Sequence, residues 1–542
     1  MPILVRNISL DLDEPEEVVL SRAASKLRIP VEAIRSYSVV ARSVDARHGR
    51  VRLIYQIEMA LDEPAPREAS RLKRLRGNDA KWIERRNAPE PTPGSRPLRQ
   101  RPVVVGFGPA GMFAALRLAQ YGYCPIVLER GQAVKRRHKD VLQRYYRERD
   151  FDAESNLLFG EGGAGTYSDG KLYTRVSDDL CRYVLEELYR NGADPDILID
   201  ARPHIGSDRL PTICTRIRKR IEFLGGEVRF AASLRDIRVE EGAIGAIEVG
   251  GGQYPEGTQW EPVDPLILAV GHSARDTIRM LKSRGVRVDV KSFQIGVRIE
   301  HPQSMIDAIQ FGSCASHERL GPAEYQVVAK GAACSGDMYS FCMCPGGEIL
   351  PTNESPGLIA TNGASRAKRA SPFANSGLVI TIDPARLGLD ALAAMAYQEH
   401  WEKAAFEATG RTYAVPAQRA TDFLAGRASD GALATSFPLG AQWTDIRSLI
   451  PEEVGQALER ALPMLDARLP GFAGADGIIT APETRASAPI RITRDRDTRA
   501  AFGYANLYPV GEGAGYAGGI VSAAVDGIKT ADLLIAQYAP PG

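Results

Sequence analysis

A glycine-rich hexapeptide at residues 106–111 has the residue types and spacing that bind a phosphate-containing ligand. Gly106 permits a tight turn, Gly108 lets the backbone approach a pyrophosphate, and Gly111 lets a helix pack closely on a strand. The N–H groups at the start of that helix attract the diphosphate. The predicted chemistry is therefore dinucleotide binding.

The flanking sequence supports this prediction. Residues 102–105 form an apolar strand pattern, residues 112–121 a helix pattern, and residues 124–128 a second strand that ends at Glu129. An acid 18 residues beyond Gly111 accepts hydrogen bonds from a ribose, which favours FAD or NAD over a 2′-phosphorylated nucleotide. The pattern predicts one βαβ unit of a Rossmann-type domain.

Two further glycine-rich segments, residues 160–171 and 508–519, favour FAD over NAD. The second contains an acid and runs into the last apolar helix pattern, and a strand followed by a small-residue turn at residues 266–272 lies between the two. FAD is long enough to need contacts from both ends of the chain, whereas NAD on one βαβ unit is not. The sequence thus predicts an α/β flavoprotein.

The predicted cofactor contacts come from these segments and from the strand ends beside them. They are Gly106, Gly108, Pro109, Ala110, Gly111, Glu129, Arg130, Gly162, Gly163, Gly165, Thr166, Gly271, Gly511, Glu512, Gly518, Gly519 and Ile520.

Four side chains near these segments could take part in catalysis, and each has a structural alternative. A flavin transfers a hydride without a protein nucleophile, so the protein supplies orientation, electrostatics and often one base. Lys171 could stabilise negative charge or be a surface lysine, and His204 and His272 could act as a base or be hydrogen-bonded loop residues. Arg485 could clamp a substrate carboxylate or pair with Glu483.

Cys342 and Cys344 form a Cys-x-Cys motif rather than the Cys-x-x-Cys of a dithiol redox centre. On a strand both side chains would point to one face. No other Cys or His pair has metal-ligand spacing, so no metal site is predicted. We expect packing cysteines, with flavin-coupled thiol chemistry as the alternative.

Composition excludes several classes of protein. The 542 residues carry 68 Lys and Arg against 67 Asp and Glu, a balance that argues against an electrostatically driven nucleic-acid or membrane binder. Seven cysteines favour a reducing compartment. The first residues lack a signal-peptide pattern, and the sequence has no apolar run long enough for a membrane span. We expect a cytoplasmic protein.

The chain divides by pattern into five parts. Residues 1–61 predict a small βαββ module, residues 62–100 a basic, proline-rich linker, and residues 101–290 the first part of the FAD-binding domain. Residues 291–480 predict an inserted α+β substrate domain, and residues 481–542 the rest of the FAD-binding domain. The linker is expected to be solvated, although the module or the linker could contact a partner protein, and a nucleic acid is the less favoured alternative.

The chain resembles a bacterial family of uncharacterised FAD-dependent dehydrogenases in the glutathione-reductase-like superfamily. The resemblance rests on residues 43–47, 160–171, 203–208, 339–347, 483–485 and 511–519. It implies FAD on the βαβ unit, with Glu129 on the adenosine ribose. It also implies that Glu512 lies where related flavoproteins hold the ribityl chain with an Asp.

The expected function is hydride transfer between flavin N5 and a small organic substrate or NAD(P)H. Only one dinucleotide fingerprint is present, so the electron donor is either the substrate itself or NADH or NADPH bound transiently on the substrate domain. A flavin monooxygenase or oxidase is one alternative. A nucleic-acid-associated flavoprotein that uses the basic linker is another.

Overall fold

The computed structural model describes residues 2–62, 79–83, 88, 90–252, 257–334 and 336–541. Its strands are Ile3–Asp11 (β1), Ile34–Asp45 (β2), Arg52–Leu61 (β3), Ala80–Trp82 (β4), Val103–Val105 (β5), Ile126–Glu129 (β6), Glu227–Phe230 (β7), Ser233–Glu240 (β8), Ala243–Gly250 (β9), Thr258–Pro262 (β10), Leu266–Leu268 (β11), Val288–Val290 (β12), Phe293–Pro302 (β13), Val328–Ala333 (β14), Gly336–Cys344 (β15), Gly347–Pro351 (β16), Thr361–Ser365 (β17), Phe373–Ile382 (β18), Val415–Arg419 (β19), Ala441–Trp443 (β20), Ile478–Glu483 (β21), Ile490–Ile492 (β22) and Leu507–Pro509 (β23). Its α-helices are Val18–Leu27 (α1), Pro109–Gln120 (α2), Val134–Lys139 (α3), Tyr146–Glu148 (α4), Asp179–Arg190 (α5), Leu210–Phe223 (α6), Arg275–Ser283 (α7), Gln303–Phe311 (α8), Ala391–Ala408 (α9), Ala420–Ala425 (α10), Glu452–Asp466 (α11) and Ile520–Gln537 (α12).

The N-terminal residues form an antiparallel sheet of order β2-β3-β1-β4 with α1 packed against it. Buried and half-buried side chains alternate strictly along β3, as expected of a strand with one face on the core. β4 lies within the predicted linker, so part of that segment is sheet instead. The basic residues of the linker that include Arg67, Arg71, Lys73, Arg74, Arg76, Arg85 and Arg86 lie outside the described residues.

A five-stranded parallel sheet of order β23-β11-β5-β6-β7 is the centre of the molecule. β5 and β11 are buried along their whole length, because α2 and α12 cover one face of the sheet and β8, β9 and α7 cover the other. The strand order reverses beside β5, and ligands bind at such a switch point, outside the carboxyl ends of the strands. This topology is the one that the βαβ pattern predicts for residues 102–129.

Two helices begin at that edge and pack against each other. In α2 residues Ala110–Ala119 are all buried, and Gly527 of α12 brings its backbone against Ala110, where a Cβ atom would overlap the carbonyl oxygen. The apolar stripe of α12, at Ala524, Ile528, Ala531 and Ile535, is buried, and so is Asp526, although it lies off this stripe. Among the described helices, none combines the length and apolar character needed to cross a bilayer.

A second, seven-stranded sheet of order β14-β15-β18-β13-β21-β19-β20 lies over the parallel one. Its core includes Phe293, Leu378 and residues of α11 such as Leu458. β21 continues to Glu483, so this sheet extends slightly beyond the predicted boundary at residue 480. Several polar side chains of the seven-stranded sheet lie near the carboxyl edge of the parallel sheet, where α2 and α12 begin.

Candidate functional site

A cavity of about 710 Å³ lies between the carboxyl edge of the parallel sheet and the seven-stranded sheet. All three glycine-rich segments line it. Of the predicted contacts, the following line the cavity: Gly106, Gly108, Pro109, Ala110, Glu129, Arg130, Gly163, Gly165, Gly271, Gly511, Glu512, Gly518, Gly519 and Ile520. Predicted contact residues from segments that are far apart in the sequence thus lie together around one cavity.

The first glycine-rich turn has the conformation that its sequence predicts. Gly106 has a φ of 98°, where a side chain would overlap the backbone of Ala269. Gly108 faces open space, since the nearest atom to a Cβ at this position would be Gly163 Cα at 3.8 Å. Gly111 does not line the cavity; it packs against the Gly106 carbonyl and brings α2 onto the sheet.

Glu129 connects two of the glycine-rich segments. One carboxylate oxygen accepts a 2.9 Å hydrogen bond from the Phe107 N–H, and the other accepts 2.9 Å bonds from the N–H groups of Gly131 and Gly160. The carboxylate is buried and also lines the cavity. Glu129 therefore positions the backbone of the site as well as presenting an acid to it.

In the second segment only some of the predicted residues reach the cavity. Gly163 and Gly165 line it, in a 3-10 turn at Gly163–Tyr167. Gly162 and Thr166 do not: the Thr166 hydroxyl is buried and donates to the Glu161 carbonyl at 2.7 Å. Gly162, with a φ of 83°, packs against Thr166, so both shape the turn rather than face a ligand.

The third segment is held by a buried acid. One oxygen of Asp526 accepts a 2.7 Å hydrogen bond from the Gly511 N–H, and the same carboxylate pairs with Arg494 and Arg499. These contacts explain why Asp526 is buried although it lies off the apolar stripe. Gly518 and Gly519 come directly before α12 and face the cavity with little around them.

His272 and Glu512 lie side by side on the cavity wall. The His272 Nδ1 atom is 3.3 Å from a Glu512 carboxylate oxygen, within ion-pair distance. The His272 Nε2 atom is buried and has no hydrogen-bond partner among the residues that the structure describes. The sequence placed these two residues in separate roles, and the structure makes them a pair.

Lys171 lines the cavity, whereas His204 does not. The Lys171 Nζ atom is 2.8 Å from an Asp169 carboxylate oxygen, and it donates to the sulfurs of Cys344 at 3.4 Å and Cys342 at 3.7 Å. His204 is held by the Ala367 carbonyl at 3.2 Å, and burial lowers its pKa. Of the alternatives, the loop-histidine interpretation fits His204.

Arg485 lines the cavity without forming the pair expected from the sequence. It contacts Glu354 and Glu402, the latter at 2.9 Å, and donates to the Ser273 hydroxyl at 3.1 Å. Glu483 instead forms a bidentate pair with Arg298, at 2.8 and 2.9 Å, and neither side chain of that pair is exposed. Arg275 binds the same two acids, so two arginines and two glutamates balance in this buried cluster. Arg485 is therefore poorly placed to clamp a substrate carboxylate.

Several wall residues were not predicted as site residues. They are Tyr173, Arg175, Gln294, Gln326, Tyr339 and Asn362. Tyr173 and Arg175 follow Lys171 at alternate positions, and Tyr339 lies in a segment that carried the family resemblance, so a signal existed for these three. Gln294 and Asn362 reach the cavity through the register of β13 and β17, which the sequence does not encode locally.

The cavity suits a dinucleotide cofactor. Both α2 and α12 begin on its wall without a side-chain cap, so their N–H groups and positive dipole ends are directed at one ligand region. Gly108 and Gly518 leave room there that a side chain would fill. The buried Tyr167 hydroxyl and Thr352 hydroxyl on the wall have no hydrogen-bond partner among the described residues. An extended diphosphate ligand with polar ends fits this set of donors.

Comparison with known protein families agrees with a dinucleotide cofactor in this cavity. Residues 292–486 match a family model described as FAD-dependent protein, C-terminal domain-like, and residues 2–60 match a domain of unknown function, DUF8436. FAD is the cofactor of this protein. The chain belongs to the same family as an uncharacterized protein of Clostridium beijerinckii, to which it is 39% identical over 100% of both chains.

Solved structures of flavoproteins show only a remote likeness. A triple mutant of a flavin-dependent brominase is 11% identical, covering 80% of this chain and 79% of that chain, with a TM-score of 0.36. L-amino acid deaminase from Proteus vulgaris is 13% identical, covering 84% and 98%, with a TM-score of 0.34. Likenesses of this size extend no function to this chain.

Proposed function

We propose that the protein is a dehydrogenase or reductase of the bacterial FAD-dependent dehydrogenase type, acting on a small organic anion. FAD, when bound, supplies two-electron hydride chemistry. The observation that carries the proposal is a single cavity whose one side is built from the three glycine-rich segments and whose other side is a polar wall from the seven-stranded sheet. Cofactor and substrate would share that space.

The polar wall is suited to orienting a substrate. Gln294, Tyr339 and Asn362 offer neutral hydrogen-bonding groups. Arg175 lies exposed on the same wall and has no ion pair among the described residues, so its charge is available to an anionic group. These groups favour a small molecule that carries a carboxylate or a similar anion.

His272 is the residue best placed to hold a proton. The Glu512 carboxylate beside Nδ1 favours a proton on that nitrogen and leaves the Nε2 lone pair as the basic atom. Nε2 has no protein partner among the described residues. We assign His272 the role of proton acceptor for a substrate hydroxyl or amine, with Glu512 as its orienting acid.

An anaerobic titration of the flavin-loaded protein with NADH, and then with NADPH, tests the reaction class. Bleaching of the visible flavin absorbance by either nucleotide supports a nicotinamide-driven reductase. If neither nucleotide bleaches the flavin, reduction by small 2-hydroxy or 2-amino acids supports a substrate-driven dehydrogenase.

The reaction of the reduced protein with oxygen distinguishes an oxidase or monooxygenase from the proposed dehydrogenase or reductase. Rapid oxygen consumption by the reduced protein, with hydrogen peroxide or a hydroxylated product, would instead make it an oxidase or monooxygenase and overturn the proposal. A His272→Gln variant should keep the flavin spectrum and lose reduction of the flavin by the substrate, and Arg175→Gln should raise KM with little change in kcat.

A further inference from the structure

Cys342 and Cys344 lie on an irregular part of β15, where the register to β18 shifts between Phe341 and Cys344. Cys342 has a φ of 44°, in the left-handed region that non-glycine residues rarely adopt. The two sulfurs are 3.9 Å apart, and both are free thiols. The two thiols are therefore in contact on an irregular part of the strand.

The charges around the sulfurs favour a thiolate at Cys342. A hydrogen bond from the Cys344 thiol, together with the positive charges of Lys171 and Arg298 and against the effect of burial, lowers the pKa of Cys342 to about 5. By contrast, burial raises the pKa of Cys214 to about 12. The charged and titratable groups that face the pair are Lys171, Asp169, Tyr173, Arg298, Tyr325 and Glu483.

The two cysteines differ in access. Cys342 is partly exposed, whereas Cys344 is fully buried. Cys342 lines the main cavity and also a side pocket of about 60 Å³. That pocket is bordered by Tyr173, which is half exposed, and by the ion pair of Arg202 and Glu324 at 3.1 Å. Cys342 is therefore the more accessible of the two sulfurs, and Cys344 lies behind it.

We propose that Cys342 and Cys344 form a thiol–disulfide exchange site, in which Cys342 attacks a small-molecule disulfide and Cys344 resolves the product. In the first step the Cys342 sulfur bonds to one sulfur of the disulfide, the disulfide bond breaks, and the other half leaves as a thiolate. In the second step the Cys344 sulfur bonds to Cys342, the mixed disulfide breaks, and the second half leaves. The Cys344 proton goes to a departing thiolate.

The two steps transfer two electrons from the cysteines to the small-molecule disulfide, and two small-molecule thiols restore the dithiol by the reverse sequence. The exchange needs no flavin, so it does not depend on the proposed dehydrogenase reaction. Lys171 is a positioning residue that holds the thiolate, in contact with both sulfurs. The charged border of the side pocket suits a disulfide with carboxylate and ammonium groups.

The first experiment measures alkylation of the native, flavin-loaded protein by iodoacetamide, with peptide mass spectrometry at each cysteine from pH 4.5 to 9. We expect Cys342 to react at nearly the same rate at pH 6 and pH 8, with a midpoint near pH 5. N-acetylcysteine, alkylated in the same buffers, is the reference thiol, and its rate should fall on the order of 100-fold from pH 8 to pH 6. A Cys342 profile that follows that of the reference thiol would overturn the proposal.

The second experiment exposes the same protein to oxidised glutathione as the probe. The native protein should form a Cys342–Cys344 disulfide, detected as the loss of two hydrogens from the peptide that carries both residues. Cys344→Ser should stop at a glutathione adduct on Cys342, Cys342→Ser should form neither product, and Cys334→Ser should behave as the native protein. If the native protein forms neither the disulfide nor the adduct, the two thiols are packing residues and the proposal is wrong.

Variants of Lys171 test whether its charge stabilises the Cys342 thiolate or whether its role is only structural. Lys171→Gln should move the Cys342 alkylation midpoint to higher pH by about one unit or more, because one of the stabilising charges is lost. Lys171→Arg keeps the charge and should largely restore the native midpoint. Equal midpoints in the native, Gln and Arg proteins would exclude Lys171 from the role assigned to it.

Discussion

The Glu129 carboxylate accepts a 2.9 Å hydrogen bond from the backbone N–H of Gly160, which lies 31 positions further along the chain. The same carboxylate holds the N–H of Phe107 in the first glycine-rich turn. One acid therefore sets the distance between two segments that line the cofactor cavity. Glu129 therefore has a structural role, in holding these two segments, in addition to its predicted contact with the ribose.

Glu129→Gln should weaken both the fold and cofactor binding. The amide offers one acceptor oxygen in place of two, which leaves a buried N–H group without its charged partner and costs roughly 1–3 kcal/mol. We expect FAD affinity to fall on the order of tenfold and the midpoint of urea unfolding to decrease. Glu459→Gln, which removes a half-exposed pair with Arg447, is the matched control and should change neither. Equal effects of the two substitutions would contradict the assignment.

Alanine substitutions at two glycines of the first glycine-rich segment should have opposite effects on stability and on FAD affinity. Gly108→Ala places a methyl group in open space at an extended backbone, so the free energy of unfolding should stay near the native value while FAD affinity falls on the order of tenfold or more. Gly111→Ala forces a Cβ into the Gly106 carbonyl and should cost about 1–3 kcal/mol of stability. Flavin fluorescence titration and urea unfolding of both proteins measure this. Normal FAD binding by Gly108→Ala would place the diphosphate elsewhere.

The buried pair of Arg298 and Glu483 should be essential to the seven-stranded sheet. Both side chains are fully buried, and Glu483→Gln leaves the guanidinium without its counter-charge. Breaking such a pair costs about 3–5 kcal/mol, which should appear as a large drop in Tm. Replacing the exposed Glu407, which pairs with Arg411 at the surface, should cost less than 1 kcal/mol. A small effect of Glu483→Gln would mean that water reaches the pair.

His301 should give stability a pH dependence of known sign. Its Nε2 atom contacts the Phe472 carbonyl oxygen at 2.8 Å, and burial lowers its pKa to about 4. The unfolded chain titrates near 6.5 and binds the proton first, so stability is unaffected above pH 6.5 and falls as the pH drops from 6.5 towards 4. The full loss is about 3 kcal/mol.

Urea unfolding of native protein and His301→Gln at pH 7.5, 6 and 5 checks this sign. The variant should lose the part of the slope that corresponds to one proton, whatever its stability at pH 7.5. Parallel pH profiles of the two proteins would show that other groups produce the slope.

The sequence predicted the parts of the site that are local in the chain. Strand, glycine-rich turn and helix at residues 102–120 are encoded by neighbouring residues, and so is the N-terminal alternation of β3. The partners of Arg485 and Glu483 were not predictable in this way, because Glu354, Glu402 and Arg298 come from distant elements and only the folded register selects among many possible pairs. The same holds for Asp526, whose helical position indicates solvent until Arg494 and Arg499 are placed against it.

The Cys-x-Cys motif shows a second reason why part of the site could not be predicted from the sequence. Its residue types were noted, and a regular strand was assumed, on which alternate side chains share a face but remain well apart. The positive φ at Cys342 and the approach of Lys171 depend on how β15 pairs with β18. No local pattern reports that irregularity, so chemistry that depends on it becomes visible only in three dimensions.

The strand order of the central sheet has a consequence for biosynthesis. β5, with its glycine-rich turn, is made early, whereas β23 and the start of α12 are made only after the whole seven-stranded sheet. Until β23 pairs with β11, the apolar β11 presents an open edge of the kind that invites association with other chains. A nascent chain carries the first half of the FAD cradle long before it can close the second. Cofactor capture thus belongs at the end of the folding sequence rather than at its beginning.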